Sequence, residues 1–337
     1  MTGLATRGGR AALVMDVMAR VGAAASGTTV MVPVEGPDDV DVVDAWCRGT
    51  GNAVLAVYDD AVEVYRGRLS DPDATLPADR LPGHRLWLYT NFHCNLACDY
   101  CCVSSSPQAD PRSLDLAGVR RAVAEGVEAG VRELYLTGGE PFLHADIAEI
   151  VEACTRAAPT VLLTNAMLFR GSRLRRLDAM PRDGLLLQVS IDSPTPDVHD
   201  AHRGAGSWQR AVDGIATATA LGFRVRLGAT LSTGSPVERD TLAELAGRLG
   251  VERDLVVRRV AREGVASRGI VVSRATLVPE VCVTGDGVYW HPVAATNPAM
   301  KVSTRLSPLD AAIESVREEY LRYRRRSHLL AAAFPCA

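Results

Sequence analysis

The sequence is short of lysine, of aromatic residues and of net charge. Lys301 is the only lysine among 37 basic residues, aromatic residues make up 5%, and the formal net charge is -3. A chain so balanced has no basic field with which to hold a phosphate backbone, so no nucleic-acid partner is expected. No segment reaches the roughly 20 consecutive apolar residues that span a bilayer, so no membrane partner is expected either. Arg7, Arg10, Asp16 and Arg20 interrupt the stretch that a signal peptide would keep apolar, which makes the cytoplasm the expected compartment. Eight cysteines in 337 residues are too sparse for a disulfide scaffold.

What is present fits a globular protein. Hydrophobic residues make up 47% and charged residues 23%, enough apolar surface for a sizeable core, which excludes disorder, collagen and low-complexity fibres. At about 150 residues per domain the length suggests two domains, or one barrel of about 250 residues with an appendage. Residues 1–70 read as a small α/β unit. Leu13, Val14, Val17, Met18 and Val21 recur at helical spacing, a β-branched run covers 28–34, a second helix starts near Pro37, and strands follow at 53–58 and 61–65. The proline-rich stretch 71–84 reads as a linker. Then strands are expected at 85–90, 133–137, 160–164, 185–191, 224–230 and 254–259, with helices between them at 115–129, 146–157, 172–180, 207–221 and 237–249. Six such beats from 85 to 260 imply a parallel sheet that is a partial barrel, since a closed one of eight beats takes about 250 residues. From 261 to 337 the rhythm breaks into a hairpin around Gly285-Asp286-Gly287 and a charged helix over 308–326.

The cysteines are unevenly placed. Cys94, Cys98, Cys101 and Cys102 fall within nine residues, directly after the first barrel strand, whereas Cys47, Cys154, Cys282 and Cys336 are scattered. Loops after the strands form the active face of a parallel α/β barrel. Cys94, Cys98 and Cys101 have the spacing C-x3-C-x2-C, from which three thiolates can each hold one iron of a 4Fe–4S cluster and leave the fourth iron open. The same thiols with His93 or Cys102 could instead close a zinc site. A second motif, Thr137-Gly138-Gly139-Glu140-Pro141, ends the next strand on the same face. Its glycines would let the backbone approach a ligand closely, and Glu140 would accept from an ammonium group.

A C-x3-C-x2-C loop with an aromatic residue before its last cysteine, followed one beat later by GGEP, resembles the radical S-adenosylmethionine (SAM) superfamily over 86–259. The resemblance implies a 4Fe–4S cluster on Cys94, Cys98 and Cys101, with Tyr100 bordering the adenine and Gly138, Gly139 and Glu140 meeting the methionine amino group. It implies reductive cleavage of SAM to a 5'-deoxyadenosyl radical that abstracts hydrogen from a substrate, with an electron donor such as flavodoxin or ferredoxin. Asn165, Ser190 and Asp192, at the ends of the third and fourth strands, match where the family places polar contacts for the ribose and methionine moieties. Arg203 matches the arginine that meets the SAM carboxylate. Read as residues alone, Asn165 and Asp192 serve equally as helix caps, Arg203 as a surface side chain, and His93 and His144 as structural neighbours of the two motifs.

The flanks resemble other things more loosely. Residues 10–68 are similar in element order to the sulfur-carrier TusA fold, although the segment Thr6–Ala11 has no cysteine where that family carries its persulfide. Cys282 through Pro292 is similar to the hairpin of SPASM and twitch extensions without their full cysteine set, so an auxiliary cluster is not expected. Cys282 is then a candidate hydrogen donor or a core cysteine, and Cys102 a small buried residue or a thiol near substrate.

The expected whole is an α/β chain: a partial (β/α)6 TIM-like barrel, a small N-terminal α/β domain and a short C-terminal cap. The expected activity is radical SAM chemistry on a small molecule of sugar or nucleoside type in a specialised biosynthetic pathway. A ribosomal peptide and carbon–sulfur chemistry are alternatives, and a zinc-stabilised binding protein is the rival of another class. Protein purified without oxygen should be brown and hold about four irons. A colourless protein with stoichiometric zinc would exclude the cluster.

Overall fold

The computed structural model describes residues 9–67, 81–231 and 236–333. Residues 71–80 of the expected linker, the Thr6–Gly8 part of the sulfur-carrier comparison and Cys336 lie outside them.

The N-terminal unit runs α1 (Gly9–Ala23), β1 (Thr29–Pro33), α2 (Pro37–Thr50), β2 (Ala53–Val57) and β3 (Ala61–Tyr65). Period-two valines make the sheet one-sided. Val32, Val54, Val62 and Val64 are buried beneath Leu13, Val17 and Val21 of α1 and Val40, Val43 and Cys47 of α2. Strand β3 lies between β1 and β2, antiparallel to both. Proline in the first turn, Asp38 and Asp39 at the N-terminus, and left-handed Gly51 after the last turn fix the ends of α2.

Six parallel strands follow in sheet order: β4 (Arg85–Tyr89), β5 (Glu133–Thr137), β6 (Thr160–Thr164), β7 (Leu185–Ser190), β8 (Arg224–Leu231) and β9 (Glu252–Arg259). The crossovers carry α3 (Leu116–Glu128), α4 (Ile147–Thr155), α5 (Gly171–Ala179), α6 (Pro196–Arg203) with α7 (Ser207–Ala220), and α8 (Pro236–Arg248). Leucines and valines on the outer strand faces, Leu86, Leu134, Leu187 and Leu227 among them, share one core with Val119, Ile150, Ile215 and Leu245 of the helices. The opposite face is polar toward the amino ends. There Arg85 pairs with Glu133 at 3.0 Å, Arg226 donates to Gln188 at 3.0 Å, and Trp87 stacks on Tyr135. The sheet is an open, partial barrel. Helix α6 was not expected, because its sequence is polar and follows Ser193-Pro194-Thr195. Pro196 in its first turn, with Asp197 beside it, is what starts it.

The C-terminal segment is joined to both sheets. It contributes β10 (Gly269–Ile270), β11 (Cys282–Thr284), β12 (Gly287–Tyr289), β13 (Lys301–Ser303) and α9 (Leu309–Ala333). Strand β11 runs parallel to β4, with Cys282 opposite Trp87, so the hairpin extends the barrel sheet beyond its first strand. It is shorter than its apolar run, because Glu280 donates its backbone N–H to Trp290 instead of continuing the ladder. Strand β10 joins the other sheet. It pairs antiparallel with β2, and Val271 N donates to Leu55 O at 3.0 Å. No described helix is long and apolar enough to cross a membrane.

Arg259, at the end of β9, reaches Glu63 at 2.6 Å and also donates to the Tyr58 hydroxyl. It therefore clasps the N-terminal sheet to the barrel. Replacing Arg259 with Ala should weaken that docking by about 1–3 kcal/mol, the worth of a partly buried charged hydrogen bond. An early thermal transition should appear while the barrel transition stays in place. A single unchanged transition would contradict the clasp.

Candidate active site at the carboxyl ends of the strands

The cysteine loop leaves β4 at Thr90, whose N–H donates to Thr137 O at 2.8 Å. Cys94 is buried, and Cys98 and Cys101 are half-buried. Burial pushes the Cys94 thiol up to about 12 and the Cys98 thiol up to about 11. Such thiols ionise only against a compensating positive centre. Leu96 N donates to Cys94 Sγ at 3.4 Å and Ser105 N to Cys101 Sγ at 3.2 Å. Two buried polar atoms of the loop, His93 Nδ1 and Ser105 Oγ, have no hydrogen-bond partner among the described residues. Soft donors on one loop, N–H groups aimed at sulfur and orphaned polar atoms beside them suit an iron–sulfur group. Among the described residues, no three His, Cys, Asp or Glu side chains are gathered closely enough to hold a single ion.

The GGEP glycines have a structural purpose that the sequence did not suggest. A Cβ on Gly139 would lie 2.2 Å from His93 O, and one on Gly138 2.6 Å from Asn91 O. Gly139 N donates to Asn91 O at 2.8 Å and Glu140 N to His93 O at 3.0 Å. The close approach that glycine permits here is to the backbone of the cysteine loop. Glu140 is fully buried. Its Oε1 accepts from Thr164 Oγ1 at 2.7 Å and from Phe142 N at 3.2 Å, while Oε2 accepts from Asn165 N at 2.8 Å. Burial still pushes its carboxyl up to about 7, against those three donors. Asn165 caps no helix: its side chain donates to Asn95 Oδ1 at 2.9 Å in the cysteine loop.

Asp192 and Arg203 also depart from the cap and surface readings. Arg203 Nε meets Asp192 Oδ2 at 2.6 Å and one terminal nitrogen meets Oδ1 at 3.0 Å, both side chains being buried. Thr230 N donates to Asp192 at 2.9 Å, and the Tyr100 hydroxyl donates to it as well. Burial pushes the Asp192 carboxyl up, yet the Arg203 charge and these donors outweigh it and hold it below the usual range. The Arg203 guanidinium lies 5.5 Å from the Tyr100 ring centre. Through this network the strand ends β7 and β8 grip the loop between Cys98 and Cys101. Ser190 ends β7 half-buried, and its hydroxyl makes no hydrogen bond among the described residues.

On the far side of the loop, residues 261–266 form a strap. Gly264 has φ +63° and would place a Cβ 2.3 Å from Cys101 O, while Val265 N donates to that oxygen at 3.1 Å. Cys102 belongs to the same contact, its carbonyl carbon 2.6 Å from where a Cβ on Gly264 would lie. Cys282 is fully buried in β11 and shares the barrel core. His144 is capped internally, its Nδ1 accepting from Asp146 N. The sequence reading missed His199, Thr230, Arg258 and Gly264. His199 lies on the unforeseen α6, and Gly264 is one glycine among 29, with nothing local to mark it.

Residues 88–249 match the family model for the radical SAM superfamily. The PqqA peptide cyclase of Ruegeria pomeroyi is 33% identical over 210 residues, 62% of this chain and 53% of that protein. The mycofactocin maturase MftC of Mycobacterium tuberculosis is 32% identical over 161 residues, 47% of this chain and 40% of that protein. The chain thus spans about half or less of the curated relatives it matches. Among solved structures, native anSMEcpe with bound AdoMet is similar in fold, with a TM-score of 0.54 over 71% of this chain and 82% of that one at 11% identity.

Replacing Gly139 with Ala should part the two loops, because backbone on each side leaves the methyl group nowhere to go. The expected result is iron incorporation on reconstitution reduced several-fold in protein that stays folded. Normal iron content would show that the contact is dispensable.

Proposed function

We propose that residues 88–249, which match the radical SAM superfamily model, form a radical SAM domain with which the chain modifies a ribosomal peptide. The observation that carries the reading is the three-cysteine loop held against Gly138–Glu140 by backbone hydrogen bonds at the carboxyl ends of the strands. Cys94, Cys98 and Cys101 would hold the 4Fe–4S cluster, and the open iron would take SAM. When bound, the cluster and SAM supply reductive sulfonium cleavage and hydrogen abstraction from an unactivated carbon.

The protein's part is positioning and shielding. Glu140 and the carbonyls of the GGEP turn offer acceptors to an ammonium group. Tyr100, fixed by Asp192, presents its ring beside the loop. Asn165 ties β6 to the loop through Asn95, and the Ser190 hydroxyl stands open to a bound ligand. Arg203 has two nitrogens committed to Asp192, which leaves Nη1 for a carboxylate and makes Arg203 chiefly a positioning residue.

Peptide cyclase and maturase relatives favour a peptide over the sugar or nucleoside that the sequence suggested first. In this reading residues 1–70 are a docking domain of degenerate sulfur-carrier type, 71–84 a linker, 85–260 the catalytic barrel and 261–337 a twitch-like closure without its own cluster. Carbon–sulfur chemistry has no independent support from the site.

Reduced, reconstituted protein should release 5'-deoxyadenosine from SAM, and Cys98→Ala should lose both the cluster and this cleavage. Deuterium from a labelled precursor peptide encoded beside the gene should appear in 5'-deoxyadenosine. Transfer only from a labelled sugar or nucleoside would overturn the peptide reading.

A further inference from the structure

Five arginine side chains described on the barrel strands divide four to one. Arg85 meets Glu133, Arg224 meets Glu252, Arg226 meets Asp254 and Arg259 meets Glu63. Arg258 meets no carboxylate among the described residues. Its Nε donates to Thr230 Oγ1 at 3.0 Å, and its two terminal nitrogens make no further hydrogen bond or ion pair there.

The place of Arg258 gives this meaning. It sits opposite Thr230 at the carboxyl end of β9, the last strand of the sheet, on the face away from the helices. Its neighbours in the chain, Val257 and Arg259, take the other face: Val257 packs on the core and Arg259 reaches the N-terminal sheet. Thr230 is the residue whose N–H holds Asp192, so the stem of Arg258 is fixed by the network that fixes Tyr100. The strap that follows Arg258 sets Gly264 and Val265 against Cys101, so the carboxyl end of β9 leads directly onto the cysteine loop. That loop leaves β4, so Arg258 stands at the seam where the last barrel strand comes round to the loop of the first. The nearby acidic residue Glu263 is held by Asn297 Nδ2 at 2.9 Å. A solvent-exposed guanidinium with a fixed stem, a free fork and no internal counter-ion is a receptor for an incoming carboxylate.

We propose that Arg258 anchors an acidic group of the substrate at the seam of the barrel, taking an acidic side chain or a chain-terminal carboxylate of the peptide; the peptide part rests on the function proposed above. Such an anchor at the strand ends would fix which carbon faces the site. The carboxylate of SAM carries the same chemistry, and the test separates the two.

Reconstituted full-length protein loaded with SAM is titrated calorimetrically with acetyl-Gly-Glu-Gly-amide, with acetyl-Gly-Gln-Gly-amide and with glutarate. The Glu peptide should bind about tenfold or more tightly than the Gln peptide, the range of one charge-assisted contact. Arg258→Gln should erase that preference, and Arg258→Lys should keep part of it. SAM affinity, measured separately, should survive Arg258→Gln. Equal binding of the two peptides to the wild type would overturn the proposal, as would a tenfold loss of SAM affinity in Arg258→Gln. Glutarate binding that needs Arg258, with neither peptide binding, would uphold the carboxylate subsite and sink the peptide reading.

Discussion

Gly139 and His93 share a space that admits no side chain at the glycine, and the rest of the site is arranged around that contact. The two glycines let the β5 turn donate to Asn91 O and accept the line of the cysteine loop beside it. Once the turn is there, Glu140 falls into the interior and must be satisfied. The end of β6 does so with the Thr164 hydroxyl and the Asn165 N–H. Asn165 then reaches back to Asn95 within the loop. The ends of β5 and β6 are thereby tied to the loop that leaves β4, through its backbone at Asn91 and His93 and its side chain at Asn95.

The second hold on the loop is electrostatic. Asp192 and Arg203 are both out of water, and such a pair adds little net stability, because desolvation offsets attraction. What it gives is geometry. A bidentate carboxylate has few orientations left, and this one also takes the Thr230 N–H and the Tyr100 hydroxyl. The opposite end of the barrel uses the same device, with Arg85 and Arg226 closing on carboxylate and amide groups. Polar pairing thus lines the inward face where hydrophobic layers would be the simpler filling.

Much of this was legible in the sequence, and what was not has a common cause. Strands β5 and β6 fell at their expected residues, because short apolar runs bounded by turn signals determine them locally. The cysteine spacing and GGEP were visible for the same reason. Helix α6 was hidden by its polarity, and the fate of the C-terminal hairpin depended on β4, some two hundred residues earlier. The purpose of the glycines could not be read, since a glycine's neighbour in space is not its neighbour in sequence. Arg203 and Asp192 could each be matched to a family position, but nothing in either one's sequence neighbours says that they pair with each other. Arg258 differs from Arg259 only in which side of a strand it occupies.

The segment from Arg259 to Val271 touches both the N-terminal sheet and the cysteine loop. Its start and finish are paired with each other and with β2, while its tip, at Gly264 and Val265, rests on Cys101. It behaves as a lever of fixed length. A tilt of the N-terminal sheet must be absorbed between Val265 and Gly269 or passed on to the sulfur-bearing loop. A chain shortened to the barrel alone would lose more than an appendage, because one end of that lever would have nothing to bear on. Insertions in this stretch should be rarer than its irregular backbone suggests, since its span is set by two anchors and not by its own secondary structure.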